Sequence, residues 1–337
     1  MTRERVSIIG SGNWGSAVGK IIGENVLSHS KTFEPQVRQW VYEENYKGSP
    51  LTSVINRERQ NPKYLPGVTF TENIMAIPDL REATQDATVL VFVLPHQFVR
   101  GVCDVIKPFM NSNVRAISLV KGLDIKPEGV TLFSEEIARK LRIPVAVLSG
   151  ANIASEVGME QLSETTIGTP SVQDGELFYK LFNTNYFRVN VISDHVGVEL
   201  CGALKNIVAV GTGLSDGLGY GSNTKAAIIR LGLMEMRKFG QTFFGTVEDT
   251  TFFESCGIAD LITTCSAGRN RKVAEAFAKT GKSIDVLEKE LLNGQKLQGT
   301  LTALEVYEFL LARNMTSEFP LFSKIYKIIY EKEPVES

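Results

Sequence analysis

Short apolar runs rich in β-branched residues punctuate the first half of the chain, at 6–9, 37–42, 89–94, 115–120, 145–148, 165–167 and 187–191, with helical patterning between them. Several are apolar at consecutive positions rather than at alternate ones. A strand carries apolar side chains on both faces when helices cover both sides of its sheet, so the runs predict a parallel, doubly wound α/β sheet. After about Ser193 the period changes. Apolar residues then recur three and four apart over 196–210, 224–240, 271–280 and 302–312, which predicts helices with one buried stripe. The expected architecture is an α/β, Rossmann-like domain over 1–193 followed by an all-helical domain over 194–337. No repeat, low-complexity tract or Ser/Gly/Pro linker separates the two, so they are expected to pack directly with a cleft between them.

Composition agrees with this plan and removes several classes of partner. A chain of 337 residues, 43% hydrophobic, is too long for one ordinary core and long enough for two. Its 36 basic and 38 acidic residues are mixed along the sequence for a net charge of −2, so no field is expected that would hold nucleic acid or an anionic membrane. Cys103, Cys201, Cys256 and Cys265 form no CxxC pair and read as reduced thiols. The chain begins Met-Thr-Arg-Glu-Arg and enters the first strand run directly, so a cytoplasmic location is expected. The most apolar long stretch, 196–214, carries Glu199, Lys205 and Asn206, which suits a buried helix and not a bilayer span.

The first strand run leads into Gly10-Ser11-Gly12-Asn13-Trp14-Gly15-Ser16 and then a helical pattern through Ala17, Val18, Ile21 and Ile22. This is G-x-G-x-x-G in the strand, turn and helix setting that a dinucleotide requires. Gly10 permits the tight turn, Gly12 lets backbone approach the pyrophosphate, Gly15 lets helix pack on strand, and the helix start offers N–H groups to the phosphates. The second strand ends in Trp40-Val41-Tyr42-Glu43-Glu44, acidic where a 2′-phosphate would want Arg or Lys, which favours NAD over NADP. The acidic pair lies farther from Gly15 than the usual ~20 residues, implying a long first crossover. Glu43 or Glu44 would hold the ribose, or Tyr42 would line the adenosine pocket.

Ligands of open parallel sheets bind beyond the carboxyl ends of the strands, so Leu94-Pro95-His96-Gln97-Phe98, Ser118-Leu119-Val120-Lys121-Gly122 and Gly150-Ala151-Asn152-Ile153-Ala154-Ser155-Glu156 are expected to face the cofactor. Lys121 is then either a ligand contact or a solvated loop lysine. In the helical half, Lys205 and Asn206 interrupt an apolar helix. Burying an ammonium is costly unless it is paired or loses its proton, so Lys205 is a candidate general acid or base, the alternative being a lysine that reaches the surface from a helix edge. Asp260 and Thr264, four apart, share a helix face from which to orient a lysine. Gly268-Arg269-Asn270 precedes a helix expected from Arg271, and an arginine beside a helix start suits a phosphate, while Arg271 and Lys272 read as basic surface. Of the three histidines, His29 falls in a polar loop, His195 at a helix start and His96 near the cofactor, where shaping of the loop is the expected role.

Taken in order with Leu291-Leu292-Asn293-Gly294-Gln295-Lys296-Leu297-Gln298-Gly299, these motifs resemble the soluble, eukaryotic-type NAD-dependent glycerol-3-phosphate dehydrogenases over essentially the whole chain. The resemblance implies reversible hydride transfer between sn-glycerol 3-phosphate with NAD and dihydroxyacetone phosphate with NADH, without a metal, in a homodimer. By motif, Lys205 would carry the proton, with Lys121, Asn206, Asp260 and Thr264 around the reacting centre. Lys121 would add positive field and lower the pKa of Lys205, and Arg269 and Asn270 would bind the substrate phosphate. Cofactor contacts would fall on Gly10, Ser11, Gly12, Asn13, Trp14, Gly15, Tyr42, Phe98, Lys121, Ala154, Arg269, Lys296 and Gln298. Two other readings keep the same plan: an NADP-dependent β-hydroxyacid or ketopantoate reductase, and a non-catalytic NAD(H) sensor. Intact Lys121, Lys205 and Asp260 argue against the sensor.

Overall fold

Val6-Ser7-Ile8-Ile9 is buried on both faces as β1 (Val6–Ile9), and the same holds for Val89-Leu90-Val91-Phe92, so these two strands take the centre of a sheet. In the computed structural model, which describes residues 2–111, 113–292 and 296–334, the chain divides into two compact units. One comprises Met1–Lys121 with Phe133–His195, the other Gly122–Leu132 with Val196–Ser337.

The first unit continues through α1 (Asn13–Ser28), β2 (Val37–Trp40), the small hairpin β3 (Asn45–Tyr46) and β4 (Ser49–Pro50), α2 (Leu51–Glu58), β5 (Ile74–Ile77), α3 (Leu80–Thr84) and β6 (Val89–Phe92). Then come α4 (Val99–Ile106) and β7 (Arg115–Ser118), and the chain leaves for β8 (Leu123–Lys126) and β9 (Gly129–Leu132), which belong to the second unit. It returns with α5 (Phe133–Leu141), β10 (Val145–Ser149), α6 (Ala154–Gly158), β11 (Ser163–Gly168), α7 (Val172–Phe182) and β12 (Phe187–Ile192). The eight-stranded sheet runs β12-β11-β10-β7-β6-β1-β2-β5. One apolar cluster joins α1 and α7 to one face, and a second joins α4 and α5 to the other, which is the doubly wound arrangement.

Differences from the sequence pattern have simple causes. The runs at 37–42, 89–94 and 115–120 leave the sheet at Trp40, Phe92 and Ser118. Val41, Val93, Leu94, Leu119 and Val120 stay buried beneath the following loops, so apolarity overstates strand length. The edge strand β5 went unpredicted; its Met75 faces outward. The β10–β11 pair is antiparallel, and among the described residues it is the one ladder of the eight-stranded sheet that is not parallel. The first crossover is long because, after α1, residues 29–36 run beside the segment that leads into β1, with Phe33 buried and the Glu34 N–H bonded to the Glu4 carbonyl at 2.8 Å.

The second unit holds α8 (His195–Gly217, mostly in this unit), α9 (Ser222–Phe244), α10 (Asp260–Ala267), α11 (Arg269–Thr280), α12 (Ile284–Leu292), α13 (Gln298–Leu311) and α14 (Pro320–Tyr330). Among the described residues α8 is the one helix long and apolar enough to cross a bilayer, and its apolar window is buried throughout. Phe239, Phe243, Phe309 and Phe319 pack together, mostly tilted or edge to face, where α9, α13 and the entry to α14 meet. The Glu235 carboxylate accepts from the N–H groups of Leu321 (2.7 Å) and Phe322 (2.9 Å), capping α14. The β8–β9 hairpin, which the sequence pattern did not predict, packs on α13.

Candidate functional site

The glycine turn joins β1 to α1. Gly10 has φ +124°, and a Cβ there would drive into the Val93 carbonyl. On Gly15 a Cβ would lie 2.7 Å from the Gly10 oxygen, so only glycine lets α1 start this close to the strand. Gly12, at the N-cap, is different: its φ of −62° suits any residue, and its missing Cβ points into open space. No acid stands in the first turn of α1 and no side chain caps it. An open glycine before uncapped N–H groups fits a pyrophosphate.

Two residues absent from the motif build this turn. Gln39 of β2, buried, donates from Nε2 to the carbonyls of both Gly10 and Gly15, each at 2.9 Å. Asn61, fully buried, donates to the Ser11 carbonyl (2.8 Å) and to Ser16 Oγ (3.0 Å). A glutamine inside an apolar strand was the available signal for the first; nothing local marked the second. Asn13 Oδ1 accepts from the Trp14 N–H at 2.8 Å, and the Trp14 ring packs on Phe187.

Both acids after β2 serve local structure. Glu43 accepts from the N–H and hydroxyl of Thr52, in the first turn of α2. Glu44 pairs with Lys63 and accepts from Tyr64 Oη at 2.5 Å. Tyr42 and Phe98 stand exposed beyond β2 and β6. Lys121 follows β7, and Ala154, whose methyl lies in the core, begins α6. The loop before α6 is fastened by Asn152, which donates to the Glu164 carbonyl (2.8 Å) and accepts from Thr165 Oγ1 (3.0 Å). His96 stacks on Phe133, consistent with a loop-shaping role.

In the second unit Lys205 is 4% exposed at the middle of α8, and its ammonium forms an ion pair with the Asp260 carboxylate, itself 3% exposed. Burial of both charges is tolerable because each compensates the other. A π-turn, Ser255–Ala259, delivers Asp260 to the start of α10. Thr264, one turn on, donates to the Asp260 carbonyl (2.6 Å) and lies 3.4 Å from its Oδ1.

A second buried network adjoins it in sequence. Gly299 N–H donates to Asn270 Oδ1 (2.9 Å), Asn270 Nδ2 donates to Asn206 Oδ1 (2.8 Å), and Asn206 Nδ2 donates to the Ala203 carbonyl (3.2 Å). A Cβ on Gly299 would meet the Asn206 oxygen at 2.5 Å, so glycine lets α13 begin against α8. The helix α11 starts two residues earlier than its apolar pattern, at Arg269, which is exposed, with Asn270 buried behind it. Arg271 is not bland surface: it pairs with Asp216 (2.6 Å) and Glu275 (2.9 Å). Although burial works against ionisation, Lys225 and Arg271 hold the Asp216 carboxyl below its ordinary range. Gln298 opens α13, its Nε2 donating to Thr302 Oγ1 at 3.3 Å. Lys296 is exposed and reaches Asp285 (2.8 Å) and Glu288 (2.9 Å). Residues 293–295 of the motif before it lie outside the described residues.

Two family profiles match the chain: NAD-dependent glycerol-3-phosphate dehydrogenase N-terminus over residues 5–174, and NAD-dependent glycerol-3-phosphate dehydrogenase C-terminus over residues 194–337. The cytoplasmic NAD(+) glycerol-3-phosphate dehydrogenase of Homo sapiens is 54% identical over 336 residues, covering 99% of this chain and 96% of its own length. A glycerol-3-phosphate dehydrogenase 1-like protein of Xenopus tropicalis is 56% identical over 333 residues, covering 98% and 94%. The solved glycerol-3-phosphate dehydrogenase of Saccharomyces cerevisiae superimposes with a TM-score of 0.94 at 45% identity, covering 99% of this chain and 97% of the other.

Proposed function

Because the chain belongs to the NAD-dependent glycerol-3-phosphate dehydrogenase family, it is an NAD-dependent oxidoreductase of that activity, and we propose that Lys205 carries the proton while Asp260 holds it in place. When bound, NADH supplies the hydride for the carbonyl carbon of dihydroxyacetone phosphate. As that bond forms, the carbonyl electron pair moves onto oxygen, where the Lys205 ammonium neutralises the charge and donates its proton. The reverse reaction returns the proton from the alcohol to the amine. Asp260 compensates the ammonium, and Thr264 orients the carboxylate. The buried Lys205–Asp260 pair is the observation that carries the reading, since an ion pair placed inside an apolar helix packing is costly to keep for stability alone.

Substrate is held, in this reading, by its phosphate at Arg269 and Asn270 on the uncapped start of α11, with Lys121 and Asn206 as further contacts. The glycine turn from Gly10 to Gly15, with Ser11, Asn13 and Trp14 contributing backbone, holds the pyrophosphate of NAD. Tyr42, Phe98, Lys121, Ala154, Arg269, Lys296 and Gln298 complete the proposed cofactor contacts. Engaging NAD at Lys296 would exchange its present carboxylate partners for the ligand.

Purified protein is expected to oxidise NADH with dihydroxyacetone phosphate and hardly at all with unphosphorylated dihydroxyacetone. Equal rates would remove the phosphate assignment. Lys205→Ala is expected to lower kcat by ~10²–10⁴-fold, the usual scale of general acid–base help, with NADH affinity retained. Unchanged turnover would move the proton elsewhere. The family resemblance also supports a cytoplasmic homodimer, for which light scattering should give twice the chain's 37.2 kDa.

A further inference from the structure

Lys121 is followed by one residue, Gly122, at φ +142°, and then by the β8–β9 hairpin. A two-stranded hairpin is marginal by itself. This one buries Leu123, Ile125 and Leu132 and packs along α13. Its register pairs Lys126 with Gly129, so Pro127 and Glu128 form the tip. Both tip carbonyls turn toward one side chain just past the end of α13. Arg313 donates from Nη1 to the Pro127 oxygen at 2.7 Å and from Nη2 to the Glu128 oxygen at 3.2 Å. The same guanidinium donates to the Phe309 carbonyl at 3.0 Å and lies over the Phe309 ring, 3.7 Å from its centroid. Its position at a helix C-terminus is electrostatically favourable as well.

The contact it secures is otherwise burdened with like charge. Asp124 on β8 and Glu308 of α13 both act on the Glu305 carboxyl of α13, and Lys126 lies 3.2 Å from Asp124. A guanidinium presents its N–H groups as a rigid planar fork to two adjacent carbonyls, whereas a lysine offers a compact ammonium on a flexible stem.

We infer that Arg313 is a positioning residue for Lys121: by clamping the tip of the β8–β9 hairpin to the end of α13, it anchors the strand that follows Lys121 and so fixes where that lysine's loop ends. The inference rests on the reading of Lys121 as a substrate contact. Nothing in the glycine turn depends on Arg313, so the two ligands should respond differently to its loss.

The test is a double-mutant cycle with Lys121→Ala and Arg313→Ala, read as kcat and KM for dihydroxyacetone phosphate and as NADH affinity. Arg313→Ala should lower kcat/KM for the triose phosphate roughly tenfold, the scale of one charge-assisted hydrogen bond, with NADH affinity unchanged. Arg313→Lys should recover part of the loss. On the Lys121→Ala background, Arg313→Ala should cost nothing further. Additive losses, or full activity of Arg313→Ala with only a lower melting temperature, would overturn the positioning role. If Lys121→Ala alone is as active as the unmodified chain, the reading of Lys121 fails instead, and the two failures are distinct.

Discussion

At the scale of single residues, the glycine turn shows how one residue type meets three separate demands. Gly10 is required by its backbone angle and by the Val93 carbonyl, whereas Gly12 adopts ordinary angles and is small for the sake of what lies outside it. The two alanine variants should therefore part company. Gly12→Ala should melt with the unmodified chain yet bind NADH at least tenfold more weakly, while Gly10→Ala should lose stability as well, by ~1–3 kcal/mol for a side chain forced to positive φ. Differential scanning fluorimetry and NADH fluorescence titration separate the cases; equal loss of stability in both would contradict the assignment. Lys205 was legible in the sequence because an ammonium amid apolar neighbours is conspicuous. Gln39 and Asn61, which hold the turn, were not, since their partners are carbonyls whose positions the motif does not record.

At the scale of elements, the types of the main strands and helices followed from apolar period, their ends did not, and the edge strand β5 and the β8–β9 hairpin escaped it. Apolar residues such as Val93 and Leu119 remain buried after the ladder stops, so the pattern extends past the strand. The contact between the hairpin and α13 carries a prediction of its own. Burial, with Asp124 and Glu308 nearby, pushes the Glu305 carboxyl up to about 7 from an ordinary value of 4.5. A carboxyl raised on folding favours the protonated folded state, so its ionisation penalty grows as pH rises from 4.5 and is complete above about 7. Glu305→Gln should accordingly raise the melting temperature at pH 8 and change it little at pH 4.5. The same shift at both pH values would show that Glu305 does not titrate in this range.

For the whole molecule, all four cysteines are buried and unpaired with one another. Burial pushes the Cys103 thiol up to about 12 and the Cys265 thiol up to about 11, and a thiol without its thiolate is a poor nucleophile. The native protein should thus give almost no rapid reaction with Ellman's reagent and four equivalents in guanidinium, with activity surviving iodoacetamide. A fast-reacting thiol in the native state would mean that one of these sites opens readily. The sequence by itself determined the two periodicities, the glycine turn, the order of motifs and the kinds of charged residue available for chemistry, because each of these is a local property of neighbouring positions. Only the tertiary structure decided that Asp260 is the partner of Lys205, that Asn270 joins α8 to the start of α13, that Glu43 and Glu44 serve local structure, and that the hairpin after Lys121 belongs with the helices. Those are pairings between positions far apart along the chain, set by which faces pack together, and no local pattern encodes them.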